Sequence, residues 1–417
     1  MPVVRRFSFS LLLAGLSSAR VSCSPTGTQP LDLPLALSEL GFLTPISIGS
    51  PPQSVVSLMD WTWINQFTLS TLCLGSSHDT SACLVDGQAF FNQSESSTFV
   101  NQTSLYPTRT WNPNGFFGPL PLTVQFGSDI QHVGPMSAPV TFMLADMQFP
   151  QPSSFPFTGV FGLSPVFQTD NQSTQSTFYQ FWKQGLYASP TVAFLYCYNS
   201  TFGNAAPARS LCAGNDAVQS LGGYHSNWIS AGSLKWYDSI IFPLVNTIDI
   251  VTSPEILNYW ALPVTQHLIG NEVQAINKTA SGAVFDYASF GRGAPVSINS
   301  YTRLIELTRA RPITLDPALA PNNGAQAFYS VACSNVTKLP PLKYQFGAGT
   351  PQWEIIPENY VERIALSSSE TACVLNVRTL GDGDWIIGNL GETFAKDKVI
   401  LFDFDKLQIG IANAVKK

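Results

Sequence analysis

Two aspartates in similar sequence surroundings are the residues of this chain best suited to acid–base chemistry. A short apolar run ends at Asp60 in the first half of the sequence, and a similar run ends at Asp286 in the second half. Each aspartate is followed by an apolar-apolar-Gly triplet, whose glycine comes 102 residues later, at Gly162 and Gly388. The equal spacings predict two similar lobes, each with one carboxylate at the end of a strand and the triplet beside it.

Two carboxylates that face each other cannot both ionise easily. Like-charge repulsion raises the pKa of one and leaves the other low, so the pair shares a proton near acidic pH. One carboxylate can then activate a water molecule while the other protonates a leaving group. Facing carboxylates of Asp60 and Asp286 would therefore support hydrolysis without a covalent intermediate.

The elements that must position these aspartates are short strands separated by turns. β-Branched and aromatic runs alternate with clusters of Gly, Pro, Asn and Ser, and no long helical periodicity is present. The sequence therefore predicts a mostly β fold with two short helices. The predicted strands include Thr44–Ile48, Val55–Met59, Val192–Tyr196 and Val399–Phe404, and the predicted helices lie near Thr177–Gln184 and Ile298–Thr308.

Composition excludes several classes of protein. Hydrophobic residues make up 45% of the 417 residues, which excludes intrinsic disorder, and a formal net charge of −6 excludes an electrostatic nucleic-acid binder. No Cys-x-x-Cys, His-Glu-x-x-His or Gly-x-Ser-x-Gly motif and no phosphate-binding glycine loop occurs, so neither a metal nor a cofactor is expected. The histidines, which show no metal-ligand spacing, are His78, His132, His225 and His267.

The N-terminus has the pattern of a secretory signal peptide, predicted to span residues 1–23. Arg5 and Arg6 precede a short apolar segment, Phe7–Leu16, and small residues follow it. Cleavage is possible after Ala19 or after Cys23. The later site leaves six cysteines, an even number that suits an oxidising compartment, and takes the formal charge from −6 to −9.

The predicted location is outside the cell or in the lumen of the secretory pathway. No later stretch is long and apolar enough to span a bilayer, so no membrane partner is expected. Asn-x-Ser/Thr sequons support secretion as candidate glycosylation sites. They are Asn92, Asn101, Asn171, Asn199, Asn277 and Asn335.

Six motifs in a fixed order then lead to a family resemblance. They are Phe42–Gln53, Ser94–Phe99, Gly159–Leu163, Trp385–Gly388, Phe402–Asp405 and Ile409–Ala412. With both aspartates, they make the chain resemble the pepsin-like (A1) aspartic peptidases over nearly its whole mature length. The resemblance implies a bilobal acid-protease fold with an inter-lobe cleft, in which Asp60 is the base and Asp286 the acid. The expected division is a lead-in at residues 24–40, an N-terminal lobe at 41–205 and a C-terminal lobe at 206–417.

The resemblance also implies disulfide bonds. Cys73–Cys83, just after the first aspartate, and Cys333–Cys373 are similar to disulfides of the family. This leaves Cys197 and Cys212 as an additional pair near the crossing between the lobes.

The residues after each aspartate depart from the family pattern of Thr/Ser-Gly-Thr/Ser. The first site continues with Trp61-Thr62 and the second with Tyr287-Ala288-Ser289, of which Ser289 alone keeps the family's residue type. In the family, hydroxyl groups at the first of these positions grip each other beneath the carboxylates. Because both positions are aromatic here, we expect an aromatic pair in place of the hydroxyl grip.

Two further departures concern the flap and the N-terminus. Where the family places a tyrosine over the cleft, this chain has Phe116 or Phe117, which keep an apolar lid without the hydroxyl group. Ser24–Leu40 contains no Lys or Arg and leaves little room for the basic pro-segment of the family. Both features weigh against ordinary proteolysis.

Three functions remain open from the sequence for this chain, which we expect to be a monomer. The first is an atypical aspartic-type peptidase that acts at acidic pH on a peptide in the cleft. The second is a catalytically silent pseudopeptidase that binds a protein or peptide. The third is an enzyme whose aspartate pair is used for acid–base chemistry on a small molecule.

Overall fold

The described part of the chain is mostly β, as the sequence predicts. Each strand named from the sequence pattern lies within an observed strand or overlaps it almost fully. The computed structural model describes residues 29–38, 41–61, 66–72, 89–106, 109–111, 122–146, 158–166, 176–198, 202, 207, 209–240, 259–278, 281–286, 293–316, 327–379, 383–384 and 386–416.

The first half of the chain contributes the strands that lead to and surround Asp60. They are β1 (Leu31–Ser38), β2 (Gly41–Ile48), β3 (Gln53–Asp60), β4 (Gln66–Leu69), β5 (Val100–Asn101), β6 (Arg109–Trp111), β7 (Leu122–Val133), β8 (Met136–Asp146), β9 (Gly159–Gly162) and β10 (Thr191–Tyr196). Strands β2 to β9 pair with one another in one sheet, in which β3 and β9 run parallel.

The strands of the second half form several smaller sheets besides their share of the first. They are β11 (Ala217–Leu221), β12 (Lys235–Asp238), β13 (Ala261–Pro263), β14 (Gln266–Ile269), β15 (Glu272–Gln274), β16 (Gly282–Val284), β17 (Ala294–Pro295), β18 (Arg311–Ile313), β19 (Phe328–Val331), β20 (Leu342–Gln345), β21 (Gln352–Ile355), β22 (Val361–Ala365), β23 (Thr371–Leu375), β24 (Val377–Arg378), β25 (Ile387–Asn389), β26 (Lys398–Asp403) and β27 (Gln408–Asn413). The smaller sheets have the orders β13-β16-β25, β15-β14-β20-β21, β17-β24 and β18-β19-β23-β22.

Strands from both halves meet in one sheet region, which we call the floor sheet. Its order is β12-β27-β26-β10-β11-β1, and it continues through β1 into the strands around Asp60. Strands β10 and β26 are buried along their full length, and each contains an apolar run, Val192–Tyr196 and Val399–Phe402. The segment predicted as a lead-in thus contributes β1 to a sheet shared by the two lobes.

The two predicted helices are present at the predicted positions. Helix α1 (Thr177–Lys183) ends one residue before the predicted end, and α2 (Ile298–Thr308) has the predicted bounds. A serine caps each, because the hydroxyl groups of Ser176 and Ser297 accept the backbone N–H three residues later. Shorter helices are α3 (Pro357–Tyr360), α4 (Glu392–Ala395) and the 3₁₀ segments Gln93–Glu95, Arg209–Cys212, Ser226–Trp228 and Cys333–Lys338.

Two of the expected disulfide bonds are confirmed. Cys333 and Cys373 are bonded, as are Cys197 and Cys212, with Cα–Cα distances of 5.3 and 6.2 Å. The third expected pair, Cys73 and Cys83, lies outside the described residues. Within the described ranges, every helix is too short or too polar to cross a bilayer.

His267 is a buried titratable group in the second half. It lies in β14, is fully buried, and its Nδ1 is 3.1 Å from the carbonyl oxygen of Lys343 in β20. Burial lowers the pKa of His267 to about 4, although the bond to the carbonyl acts in the opposite direction. The native protein therefore holds this imidazole neutral at pH values where an unfolded chain binds a proton.

This gives an expected pH dependence of stability. Because the unfolded histidine takes up a proton below about pH 6.5 and the native one only below about 4, the free energy of unfolding should fall by about 3 kcal/mol across that interval. His267→Asn keeps an amide donor for Lys343 and should remove this component. Urea unfolding at pH 7 and pH 4 measures it.

The matched control for that experiment is His132→Asn, which removes a partly buried histidine from the other lobe. The control should retain the component assigned to His267. An equal change of stability with pH in wild type and His267→Asn would contradict the assignment.

Candidate active site

The first aspartate ends a buried strand that runs beside the first triplet. In the parallel pair of β3 and β9, Asp60 is opposite Gly162, and the backbone N–H of Leu163 donates to the Asp60 carbonyl oxygen at 2.6 Å. Strand β9, which contains the triplet, passes so close to β4 that a Cβ on Gly159 would lie 2.2 Å from the Phe67 carbonyl oxygen. Glycine is therefore required at position 159. Asp60, at the end of β3, is buried, with 1% of its surface exposed.

The second aspartate occupies a similar place in the second lobe. Strand β16 runs parallel to β25, and Asp286 follows two residues after β16 ends. The backbone N–H of Leu390 donates to the Val284 carbonyl oxygen at 2.6 Å, which fixes the strand end as Leu163 does in the first lobe. Asp286 is 2% exposed. The expected arrangement of strand and triplet is therefore present in both lobes.

The two lobes differ in register, which the sequence spacing does not show. Gly162 pairs with Asp60 itself, but Gly388 pairs with Ala283, three residues before Asp286. The equal 102-residue spacings therefore reflect a shared order of strands in the two lobes, while the residue pairs between the aspartate strand and the triplet strand differ. The difference brings Asn389, the last residue of β25, next to the second carboxylate.

Both carboxylates act on one phenol group. Burial raises the pKa of Tyr259, and the negative charges of Asp286 and then Asp60 raise it further. Tyr259 directly precedes Trp260 and the strand β13, which pairs with β16. Tyr259 is thus influenced by the charge of one aspartate from each lobe, and the facing arrangement of the two carboxylates stays a prediction.

Two polar residues accompany Asp286. The side-chain amide of Asn389 donates through Nδ2 to Asp286 Oδ2 at 2.6 Å. Arg378 is 9% exposed, and the charge of Asp286 opposes the lowering of the Arg378 pKa by burial. Asp286 therefore lies among polar side chains of the second lobe.

Trp61, which follows Asp60, points its indole ring at the floor sheet. Its Nε1 donates to Gln219 Oε1 at 3.0 Å, and Gln219 in turn donates to the Ala193 carbonyl oxygen at 2.9 Å. The indole ring packs edge-on against Phe194 and Phe402, with centroids 4.7 and 5.3 Å apart. An aromatic contact between Trp61 and Tyr287 stays a prediction, because Tyr287 lies outside the described residues.

Trp260 makes the matching contact from the second lobe. Its ring stacks on Phe402 with centroids 4.8 Å apart and planes 16° apart. Its Nε1 donates to the Leu163 carbonyl oxygen, one residue after the first triplet, at 2.7 Å. We call Trp61, Phe402 and Trp260 the aromatic bridge, since together they connect the two strand ends that carry the aspartates.

Thr62, Phe116, Phe117, Tyr287, Ala288 and Ser289 lie outside the described residues, as do the sequons Asn171 and Asn199. Of the other sequons, Asn101 and Asn335 are exposed, and Asn92 and Asn277 are partly buried. Glycosylation stays a prediction at all of them. Within the described ranges, no group of three or more His, Cys, Asp or Glu side chains could hold a metal ion.

Sequence reasoning missed several residues of the site. It identified Trp61 as a departure from the family but gave no role to Gln219, Tyr259, Trp260, Arg378 or Asn389. Asn389 carries a local signal, because it directly follows the second triplet. The others are brought to the site by contacts between residues far apart in sequence, for which a single sequence offers no pattern.

Comparisons with known proteins agree with this geometry. A family model described as "Eukaryotic aspartyl protease" matches residues 41–414. The "Aspartic protease-like protein pytH" of Aspergillus terreus is 53% identical over 96% of this chain and 97% of that protein. The "Aspartic protease-like protein pynH" of Aspergillus niger is 45% identical over 99% of both chains. The "Secreted aspartic protease LUC8" of a Fusarium species is 30% identical over 94% of this chain and 91% of that protein.

The bond between Trp61 and Gln219 gives a test of the aromatic bridge. Trp61→Phe removes the indole donor and leaves a buried amide oxygen unpaired, so it should lower the free energy of unfolding by about 1–3 kcal/mol. Urea unfolding at constant pH measures the loss. The control is Trp236→Phe at a tryptophan that is 37% exposed, and an equal effect of both variants would contradict the role of Trp61.

Proposed function

The chain belongs to the eukaryotic aspartyl protease family, and we propose that it is a secreted, atypical aspartic-type hydrolase. Asp60 and Asp286 would act as a dyad on a peptide bond held in the cleft between the lobes. One carboxylate takes a proton from water, and the other protonates the leaving nitrogen, so no covalent intermediate forms.

The observation that carries the proposal is that both carboxylates are buried at strand ends, one in each lobe, and that the charge of each acts on Tyr259. Burying a carboxylate is unfavourable unless hydrogen bonds or charges compensate it. Sites with perturbed titratable groups in this arrangement are frequently catalytic.

The residue after Asp60 differs from that of the family, which supports an atypical hydrolase. A large indole follows Asp60 where the family has a small hydroxyl residue, and it is bonded to the floor sheet. The strand end is therefore positioned by aromatic packing. Relatives whose names read "protease-like" and "secreted" agree with an altered, secreted member, and secretion of this chain is part of the proposal.

The test is acid proteolysis by the purified protein. Wild type should cleave members of a fluorescence-quenched peptide library between pH 3 and 6, and a statine-type peptide, which mimics the tetrahedral intermediate, should inhibit it. Asp60→Asn and Asp286→Asn should each lower the rate by about 10²–10⁴-fold, because the variant dyad cannot exchange the proton. Cleavage rates are read by fluorescence and the cut positions by mass spectrometry.

The control is Asp403→Asn, which neutralises a buried aspartate that accepts backbone N–H bonds from residues 405 and 406. It should keep the wild-type rate. Binding of the statine peptide without cleavage of any library peptide would overturn the proposal in favour of a pseudopeptidase. Cleavage that persists in both dyad variants would overturn the assignment of the dyad.

A further inference from the structure

Asn389 is a neutral side chain bonded to the second carboxylate of the proposed dyad. Its Nδ2 donates to Asp286 Oδ2 at 2.6 Å, and the residue is 8% exposed. The bond is short, as is usual when the acceptor is a carboxylate. The acid–base step itself does not use this amide, so its presence at the reacting carboxylate needs another explanation.

The backbone of Asn389 is fixed by the strand pair that leads to Asp286. Asn389 is the last residue of β25 and is opposite Val284 in the parallel pair with β16. The backbone N–H of Leu390 donates to the Val284 carbonyl oxygen at 2.6 Å, and Asp286 follows Val284 by two residues. One strand pair thus places both the amide and the carboxylate, so the donor stays at the carboxylate as long as the strands are paired.

The titratable and charged groups near this bond come from three other elements. Among the described residues, the charge of Asp286 acts on Arg378 at the end of β24 and on Tyr259 before β13. The charge of Asp60, at the end of β3, also acts on Tyr259. Asn389 adds a hydrogen-bond donor to this group without adding a charge. A carboxyl group in its place would become a third acid beside the pair, and its ionisation would repel the charge on the dyad.

We propose that Asn389 is a positioning residue that sets the pH range in which the dyad holds its single shared proton. The inference rests on the proposed function, because two carboxylates act as acid and base only while they share one proton. The amide stabilises a negative charge on Asp286 and stays neutral as the pH rises. Asn389 therefore acts through Asp286 and not on the substrate.

Two substitutions of Asn389 should move the pH profile of kcat/KM in opposite directions. Asn389→Ala removes the donor, so Asp286 ionises at a higher pH, and one limb of the profile should move up by about one pH unit. Asn389→Asp has the same size but donates only while it is protonated, so the basic limb should move down by about one pH unit. Rates are measured across the acidic and neutral range with one fluorescence-quenched peptide that wild type cleaves.

The limb that moves in Asn389→Ala also shows when Asp286 ionises. Movement of the acid limb makes Asp286 the charged member of the active pair, and movement of the basic limb makes it the protonated member. Either shift supports the inference. A general loss of stability would lower the rate without moving the two variants in opposite directions.

The matched control is Asn359, a second buried asparagine that donates to a different buried aspartate. Its Nδ2 lies 2.9 Å from Asp397 Oδ2. Asn359→Ala removes that donor and Asn359→Asp replaces it with a carboxyl group. Both control variants should keep the two limbs at their wild-type positions.

The outcomes separate this inference from the function on which it rests. If the Asn389 variants move neither limb further than the Asn359 variants do, Asn389 only supports the strand end and the inference is wrong, while the proposed hydrolysis stands. If Asn389→Ala does not fold, the basic limb of Asn389→Asp decides the question. If wild type cleaves no peptide, the proposed function fails and the inference fails with it.

Discussion

Phe402 packs between Trp61 and Trp260, and the positions of both aspartates depend on this contact. Trp61 is covalently next to Asp60, and the Trp260 carbonyl oxygen accepts the N–H of the residue before Asp286 at 2.8 Å. Each tryptophan is therefore connected through its backbone to an aspartate-carrying strand end, Trp61 by a peptide bond and Trp260 by a hydrogen bond. Phe402 lies in β26, a fully buried strand of the floor sheet. Both aspartate-carrying strand ends are therefore packed against the same rigid strand.

The polar atoms of the bridge are satisfied as well as its rings. The indole N–H of Trp61 is bonded to Gln219 and that of Trp260 to the Leu163 carbonyl, so neither ring is buried with an unpaired donor. The second of these bonds joins the lobes directly. The apolar contacts of the bridge and these two hydrogen bonds can thus hold the two lobes together. They do so with an indole at the position where the family places a compact hydroxyl group.

Local patterns in the sequence predicted the strands, both helices and the strand ends of Asp60 and Asp286. These features depend on periodicity, caps and turns, which neighbouring residues determine. The bridge could not be predicted, because Trp61 and Gln219 are separated by 158 residues and Trp260 and Leu163 by 97. The register of the second lobe was hidden for the same reason, since a spacing along the chain does not specify which residues pair. The expected aromatic pair of Trp61 and Tyr287 stays a prediction, whereas the contacts of Trp61 with Phe402 and Phe194 had no signal in the sequence.

A side-chain donor that the sequence did not single out accompanies the second carboxylate of the proposed dyad. The Asn389 amide donates to Asp286 Oδ2 at 2.6 Å, and the charge of Asp286 acts on the buried Arg378. In two carboxylates with one shared proton, stabilising the charge on one leaves the proton with the other. Asn389 directly follows the second triplet, so the β16–β25 register that brings the triplet beside the strand of Asp286 also brings this donor, and the ladder of the second lobe contributes to the division of the proton in the proposed dyad.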